Sequence, residues 1–266
     1  MKQGIISGHW DAIGGSDSTP RYADIIGGSF ATSESSVGGE ISPPGTFRKL
    51  RVKLTDINGD AISPGSGKSY TFTLMKNESA TGLAVTISDA ETSGSDTSTD
   101  VSITASDSVD LRGEWSGTPT VAYATWALEF EGNTAKESLV CNIGNLFNKI
   151  IATNFAAWGG NGRDTTEANV EQVVALGGTV RDMYITLRQA PDPSGSDGYT
   201  FRIRKNGANT SLLVTITGNN TAGSDTSNSF SVSAGDRIAI KVTVSGTPSN
   251  NVVAEIGTTF VADTDA

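Results

Sequence analysis

Few residues of this chain combine the types and the spacing that chemistry requires, and the first of them stand near its start. His9, Trp10 and Asp11 place an imidazole two residues before a carboxylate, which could form a His–Asp pair. Such a pair needs an activated nucleophile, and Ser7 and Ser16 lack the strand–turn–helix setting that exposes a catalytic serine. We therefore predict no catalytic residue here and interpret Trp10 as an anchor on a neighbouring molecule.

Oxygen-bearing side chains alternate from Asp56 through Asn58 to Asp60, as they do at the start of a calcium loop. A complete loop requires a bidentate Glu at its twelfth position, and that position is Gly67. The pattern therefore favours a turn after a strand. Because the chain has one histidine and one cysteine, Cys141, it also lacks the clusters typical of zinc sites. We predict neither a metal nor a cofactor.

Two further features could bind a ligand without catalysing a reaction. Trp115, Tyr123 and Trp126 could stack on sugar rings, but strand alternation turns both tryptophans inward, which favours a place in the core. The segment Gly-Ser-Asp-Thr-Ser at 94–98 returns at 223–227 and could form a shared binding edge. Short polar side chains in such loops usually hydrogen-bond the nearby backbone, so a local structural role is the favoured interpretation. Of the 29 acidic residues, no pair stands out as catalytic.

These segments belong to an internal duplication. Tyr-Thr-Phe at 70–72 recurs at 199–201, Lys-Asn at 76–77 recurs at 205–206, and Ser-Gly-Thr-Pro at 116–119 recurs at 245–248. The offset is constant, and about 23 of 50 paired positions across this window are identical. A repeat of roughly 130 residues is the size of a whole domain, so the chain contains two related domains.

Both copies show the period of two that β-strands require. Apolar residues alternate in short runs such as Leu50, Val52 and Leu54 in the first copy, while the outward positions differ freely between copies. Asn206-Gly207 is a strong hairpin signal. We predict an all-β fold of two tandem jelly-roll-like antiparallel β-sandwiches, each of seven or eight strands, with a short helix possible in 165–176.

The domain boundaries follow from composition. Residues 1–29 are rich in Gly and Ser and predict an extended N-terminal arm, residues 30–132 the first sandwich and residues 133–266 its duplicate. The first strands of the second copy are expected in 138–155. Because an ordered arm must bury apolar side chains against something, we predict that its large ones bind a partner. These residues are Ile5, Ile6, Trp10, Ile13, Tyr22, Ile25 and Ile26.

The charge and the hydropathy of the chain exclude two classes of partner. The formal net charge of −10 repels nucleic-acid phosphates, and no basic stripe offsets it. No run approaches the roughly 18 apolar residues of a membrane span, and the first residues lack the apolar core of a signal peptide. The sequence therefore predicts no nucleic acid and no membrane as partners.

The segment 232–242, Val-Ser-Ala-Gly-Asp-Arg-Ile-Ala-Ile-Lys-Val, resembles a strand of small trimeric jelly rolls of the complement and tumour-necrosis-factor type. Together with the repeated motifs, it is similar to β-sandwich proteins of tailed-bacteriophage particles: capsid decoration (cement) proteins, head fibres and spikes. The resemblance covers about 46–130 and 179–260. In the first copy, Ser106 stands at the position that Gly235 occupies in the Ala-Gly-Asp turn of the second copy. The resemblance implies a homotrimer in the virion, assembled in the host cytoplasm, with the major capsid protein or another virion component as partner.

From this resemblance we expect a non-enzymatic structural protein that decorates or stabilises a phage capsid or forms a head-associated fibre. The alternatives are a carbohydrate- or receptor-binding module of a phage particle and, least favoured, a polysaccharide-degrading enzyme. Deleting residues 1–29 should then leave a folded protein that no longer binds particles. An enclosed cleft that gathers ionisable groups would overturn the structural interpretation.

Overall fold

The computed structural model describes residues 3–25, 30–34, 37–143, 152–159, 162–250 and 253–263. The strands of its first half are β1 (Gln3–Ile13), β2 (Arg21–Asp24), β3 (Phe30–Ala31), β4 (Gly39–Glu40), β5 (Gly45–Thr55), β6 (Gly65–Lys76), β7 (Ser79–Asp89), β8 (Ser93–Ile103), β9 (Ser108–Ser116) and β10 (Ala122–Gly132).

The second half repeats this order of strands. They are β11 (Glu137–Ile143), β12 (Asn154–Ala157), β13 (Arg163–Asp164), β14 (Gln172–Val173), β15 (Gly178–Leu187), β16 (Gly198–Lys205), β17 (Ala208–Thr217), β18 (Ala222–Val232), β19 (Arg237–Ser245) and β20 (Ala254–Ala262). The predicted all-β, antiparallel class is thus confirmed. No helix within the described ranges has the length and apolarity that crossing a membrane would require.

Each half forms two antiparallel sheets in jelly-roll order. In the first half one sheet runs β1-β10-β5-β8 and the other β3-β2-β9-β6-β7, with β4 also paired to β9. The second half repeats these orders as β11-β20-β15-β18 and β13-β12-β19-β16-β17, with β14 paired to β19. Strands that are distant in sequence therefore lie side by side, as in the double Greek key of a jelly roll.

Two separate cores fill the sandwiches. The first contains buried side chains from Trp10 to Phe130, and the second contains buried side chains from Ala156 to Ile256. The largest fully buried side chains include Tyr70 and its repeat Tyr199. We call the two units the first and the second domain. Alternating apolar residues on the strands account for both cores.

The duplication extends to details of the backbone. Lys49 in β5 and Asp182 in β15 both have positive φ, 56° and 52°, and both lie at a break in strand register. At the β6–β7 and β16–β17 turns, Asn77 and Asn206 share a φ of 49°. The side-chain oxygen of each asparagine accepts a hydrogen bond from a backbone N–H at the start of a neighbouring strand, that of Ser108 in β9 and that of Arg237 in β19. The repeated residues therefore fix the same irregular points in both domains.

The structure corrects the prediction of an extended arm. Residues of β1 pair with β10 along nearly their whole length, and β2 pairs with β9, so this segment supplies the first strands of the first domain. Trp10 is fully buried and its ring stacks on Phe72 at a centroid distance of 5.2 Å. Gly113 makes room for it, since a Cβ there would lie 2.7 Å from the indole. The chain start thus belongs to the core because its alternate side chains fit between the sheets.

The other predicted partner residues of this segment are distributed as follows. Ile13 and Ile25 are buried in the first core, whereas Ile6 and Tyr22 are half-buried. The backbone of Ile5 pairs with Glu129, but its side chain and all of Ile26 lie outside the described residues. The buried side chains are not presented to a partner; a partner role for the others stays a prediction.

The structure also corrects the predicted loops at 94–98 and 223–227 and the possible helix in 165–176. The segments 94–98 and 223–227 lie inside β8 and β18 and are not loops. They contain the irregular stretch opposite the register breaks of β5 and β15. In place of a helix in 165–176, the structure has one turn of 3-10 helix, Glu167–Asn169.

Candidate functional site

The two domains meet where one edge of the first domain lies on a sheet of the second. The strand β4 and the residues after it cover the outer face of β11, β20 and β15. Ser42 hydrogen-bonds Thr259 at 2.7 Å, and both side chains are buried. Gly257 permits this approach, because a Cβ there would lie 2.3 Å from the carbonyl oxygen of Glu40. The joint is therefore a close backbone-to-sheet contact.

A cleft with a volume of about 320 Å³ opens beside this joint and is lined by both domains. Its walls come from the segment before β4, the β6–β7 turn and β9 of the first domain, and from β15 with the residue after it and β20 of the second. The lining residues are Glu34, Gly38, Glu78, Ser108, Asp110, Thr186, Leu187, Arg188 and Glu255. Four of these nine are carboxylates, so the cleft concentrates acidic groups at the domain boundary.

Glu255 of β20 is the carboxylate that joins the two walls. Its side chain is 6% exposed, and Oε2 accepts a hydrogen bond of 3.0 Å from the hydroxyl of Ser108. Gly38 packs directly on this pair, since a Cβ there would lie 2.3 Å from the Ser108 Oγ and 3.1 Å from Glu255 Oε2. Burial raises the pKa of Glu255 to about 7, against the opposing hydrogen bond from Ser108 and the charge of Arg188.

Asp110 of β9 is 3% exposed and shares the same cleft. Burial, followed by the charges of Glu34 and Glu255, raises the pKa of Asp110 to about 8. Glu34 hydrogen-bonds Asp110, and burial raises the pKa of Glu34 as well. Two carboxyl groups can share a hydrogen bond only if one holds a proton. Because its pKa of about 8 lies above neutrality, Asp110 mostly holds the proton of this pair at pH 7, and its Oδ1 is buried with no hydrogen-bond partner among the described residues.

Glu40 lies in β4 behind the cleft and faces the second domain. It is 2% exposed and hydrogen-bonds Thr186. Burial, with a smaller contribution from the charge of Glu255, raises the pKa of Glu40 to about 8. Glu40 is thus, after Asp110, the second carboxyl group at the joint that is neutral at pH 7, which reduces the electrostatic repulsion on Glu255.

Arg188 supplies the positive charge of the cleft. It follows the end of β15 and is half-buried, and burial lowers the pKa of its guanidinium. Its Nε and Nη2 are both buried and have no hydrogen-bond partner in the described part of the chain. The guanidinium thus places a positive charge beside the carboxyl groups of the cleft, with two of its N–H groups unpaired among the described residues.

This arrangement is suited to proton transfer. No set of three His, Cys, Asp or Glu side chains in the described ranges has the geometry to hold a metal ion. A carboxyl group with a pKa near 7 can act as an acid or a base at neutral pH. Carboxyl groups of different pKa beside a cation are typical of acid–base sites.

None of the residues that the sequence suggested for chemistry lies in this cleft. The imidazole of His9 is largely exposed, 3.9 Å from Asp11. Asp56 closes a turn by accepting hydrogen bonds from the backbone N–H groups of Asn58 and Asp60, at 2.8 and 2.9 Å, as the turn interpretation predicts. Trp126 is buried in the first core, and Trp115 packs against it half-buried.

The segments 94–98 and 223–227 have the predicted local role. Asp96 accepts backbone hydrogen bonds from Ser98, at 3.1 Å, and from Ala84, at 3.4 Å. Its repeat Asp225 does the same with Ser227, at 3.3 Å, and Leu213, at 3.1 Å. Each aspartate thus ties the irregular stretch to the neighbouring strand.

No sequence motif marks the cleft, because its residues come from separate strands and turns. A signal was nevertheless present at the positions where the two copies differ. Three buried carboxylates stand where the other copy has a residue without charge: Asp110 against Ala239, Glu255 against Thr125, and Glu40 against Val173. We interpreted such differences as free variation of the surface, whereas these positions are buried.

No protein-family model and no curated protein matches the chain. Among solved structures it is similar to N-glycanase F (PNGase F), with 8% identity, a TM-score of 0.31 and coverage of 99% of this chain and 97% of the other. A peptide-N(4)-(N-acetyl-β-D-glucosaminyl) asparagine amidase matches with 10% identity and a TM-score of 0.30 over 99% and 97% of the two chains. T=1 particles derived from infectious bursal virus match with 9% identity and a TM-score of 0.22, over 98% and 69%.

These findings correct the function predicted from the sequence. The prediction of a non-enzymatic phage structural protein, with a phage glycan- or receptor-binding module as its alternative, is wrong. The structures just named that match nearly the whole of both chains are an N-glycanase and an asparagine amidase, not virion proteins. The cleft also gathers ionisable groups, the outcome that overturns the structural interpretation. The phage resemblance, trimer, capsid partner and virion location stay predictions.

Proposed function

We propose that the chain is a hydrolase that cleaves a carbonyl compound, an amide or an ester, in the cleft between its domains. One observation carries the proposal: the buried carboxyl groups of Glu255 and Asp110 share a cleft with Arg188, whose Nε and Nη2 have no partner among the described residues. The cleft thus contains a proton acceptor, a proton donor and a cation within one small volume.

Each group has a distinct role in this hydrolysis. Glu255, with a pKa of about 7, removes a proton from the attacking water. The water oxygen bonds to the carbonyl carbon, and the positive charge of Arg188 stabilises the negative charge that develops on the carbonyl oxygen. Asp110, protonated with a pKa of about 8, gives its proton to the leaving amine or alcohol as the bond breaks. A proton then passes from Glu255 through water to Asp110, which returns both groups to their starting protonation states.

The charge of Arg188 favours a carbonyl substrate over a glycoside. Glycoside hydrolysis passes through a transition state resembling an oxocarbenium ion, which is positively charged. A guanidinium in the cleft would destabilise that state. Hydrolysis at a carbonyl develops negative charge, which the guanidinium stabilises. Burial holds Asp110 and Glu40 in the neutral form, so these two groups add no negative charge that would offset the guanidinium.

The experiment is a hydrolysis screen of the purified chain with chromogenic amides, esters and glycosides at pH values from about 5 to about 9. We expect turnover of amides or esters, lowered by a factor of about 100 to 10,000 in Glu255→Gln. Glu91→Gln makes the same chemical change on an exposed side chain and should leave the rate unchanged. Equal rates in wild type and Glu255→Gln, or turnover of glycosides alone, would refute the proposal. Circular dichroism of each variant confirms that it is folded.

A further inference from the structure

Two cations lie directly opposite each other on the second domain. Arg202 of β16 and Lys241 of β19 are register partners in adjacent antiparallel strands, and both side chains are half-buried. The Cβ atoms of such partners are about 5 Å apart, and like charges at this distance destabilise a sheet. In a chain with a net charge of −10, a pair of this kind requires an explanation.

No carboxylate in the described ranges pairs with either of these cations. Arg202 donates one hydrogen bond, from Nη1 to the carbonyl oxygen of Thr210 at 2.9 Å. Arg204, two residues along the same strand and on the same face, contrasts with it. The guanidinium of Arg204 binds both carboxylate oxygens of Glu167, at 2.9 and 2.8 Å. Arg204 is therefore neutralised, whereas Arg202 has no carboxylate partner among the described residues.

The first domain provides an internal comparison. At the positions equivalent to Arg202 and Lys241 it has Thr73 and Arg112, so only one cation is present. Arg112 contacts Glu114 at 3.1 Å, which offsets its charge. The second domain has Thr243 at the position of Glu114. Compared with the first domain, the second domain therefore has one more cation on this face and lacks the carboxylate that neutralises Arg112 in the first domain.

The two cations line a hollow of about 220 Å³ on the outer face of the sheet. Its other walls are the side chains of Thr200, Asn209 and Thr243. We propose that this hollow binds a tetrahedral oxyanion, the sulfate or phosphate group of a small molecule. A guanidinium, an ammonium and neighbouring hydroxyl groups supply the charge-assisted hydrogen bonds that such a group accepts. None of the residues that line this hollow lines the catalytic cleft, so the proposal does not depend on the hydrolase.

The test is titration calorimetry of the full chain with inorganic phosphate and inorganic sulfate, at an ionic strength held constant with chloride. Glucose 6-phosphate and glucose 6-sulfate form a second arm, which distinguishes a free ion from an ester as the source of the group. We expect saturable binding of at least one of these four probes. Thr243→Glu restores the carboxylate of the first domain, and Arg202→Thr restores its threonine. Both variants should bind the same probe at least tenfold more weakly.

Arg51→Thr is the matched control, since it removes one positive charge from an exposed strand position on the first domain. It should bind the probe as the wild type does. An equal loss in Arg51→Thr, or no probe binding beyond that of chloride, would overturn the proposal. A second readout is independent of the ligand: without anion, Thr243→Glu should melt at a higher temperature than wild type because Lys241 gains a carboxylate. An unchanged or lower melting temperature would contradict the like-charge argument.

Discussion

The hydroxyl of Ser108 in the first domain donates a hydrogen bond of 3.0 Å to Oε2 of Glu255 in the second. This contact connects the two walls of the cleft at the carboxyl group that we assign as the base. Because the bond favours the charged form of Glu255, it opposes the burial that raises the pKa of that residue to about 7. The position of one domain relative to the other therefore sets the protonation of the catalytic group.

Removing this hydrogen bond should shift the pH dependence of hydrolysis. In Ser108→Ala the carboxylate of Glu255 loses a donor, so its pKa rises and the acid limb of the kcat/KM profile moves to higher pH. The measurement is kcat/KM across the pH range for wild type and variant. Ser69→Ala, which removes a serine hydroxyl that contacts Ser116 away from the cleft, is the control. An acid limb that stays in place or moves to lower pH would contradict the assignment of Glu255 as base.

The stability of the chain should fall as the pH rises through neutrality. Glu40, Asp110 and Glu255 have ordinary pKa values of 4.5, 3.8 and 4.5, raised to about 8, 8 and 7 by burial in the folded chain. Between these values the unfolded chain has lost protons that the folded chain still holds, so the free energy of unfolding decreases with pH. The stabilisation is complete below about pH 4 and is lost as the pH passes about 8.

Urea unfolding at pH values from about 5 to about 9 measures this effect, and Glu40→Gln isolates one contributor. Each unit of pKa shift corresponds to about 1.4 kcal/mol, so the variant should unfold less readily than wild type at about pH 9 by at least ~1 kcal/mol. At about pH 5, where Glu40 is protonated, the two proteins should have similar stability. If the free energies of unfolding of wild type and Glu40→Gln change with pH in parallel, the pKa of Glu40 is not raised in the folded chain and the prediction is wrong.

The joint between the domains should depend on Gly257. In Gly257→Ala the new Cβ would lie 2.3 Å from the carbonyl oxygen of Glu40, and the backbone must move because neither atom is on a flexible side chain. We expect a loss of about 1–3 kcal/mol and unfolding in two separate transitions as the domains lose contact. Gly82→Ala is the control, since the nearest atom to its Cβ would be a side-chain methyl of Thr99 at 3.4 Å. Calorimetry showing one unchanged transition for Gly257→Ala would contradict this account of the joint.

Trp10 should stabilise the first domain as a core residue. Trp10→Ala removes a fully buried indole that stacks on Phe72, and it should lower the free energy of unfolding by about 3–5 kcal/mol. His9→Ala changes the exposed neighbour and should alter stability by less than about 0.5 kcal/mol. Removing residues 1–13 should therefore prevent the first domain from folding, the reverse of what an arm predicts. A truncated chain with wild-type thermal unfolding would restore the arm interpretation.

Much of the fold was predictable because it rests on local periodicity and on the repeat. Alternating side chains such as Leu50, Val52 and Leu54 determine the class of structure without knowledge of distant contacts. The start of the chain was misread because it is rich in glycine and serine and few of its alternate residues are large. Its strand character depends on pairing with β10, more than 100 residues away, which no local pattern reveals.

The cleft was not predictable from local sequence for a related reason. Glu40, Asp110, Arg188 and Glu255 stand on four different strands or strand ends, with no spacing that marks them as a group. Burial is the largest cause of the raised pKa values of the carboxyl groups, and burial here depends on how the domains meet. Asp110 in particular looked like an outward residue because its equivalent in the second copy is Ala239.

The most direct test of the account is an NMR titration of the side-chain carboxyl carbons, compared between wild type, Glu255→Gln and Asp110→Asn. We predict that the wild type shows one apparent pKa of about 7 and two of about 8, the second of which belongs to Glu40. Glu255→Gln should lose the value near 7, and Asp110→Asn should keep a single value near 8, with the remaining values shifted because the groups interact. If every carboxyl group of the wild type instead titrates between about 3 and about 5, the cleft contains no group able to exchange protons at neutral pH and the proposed hydrolase is excluded.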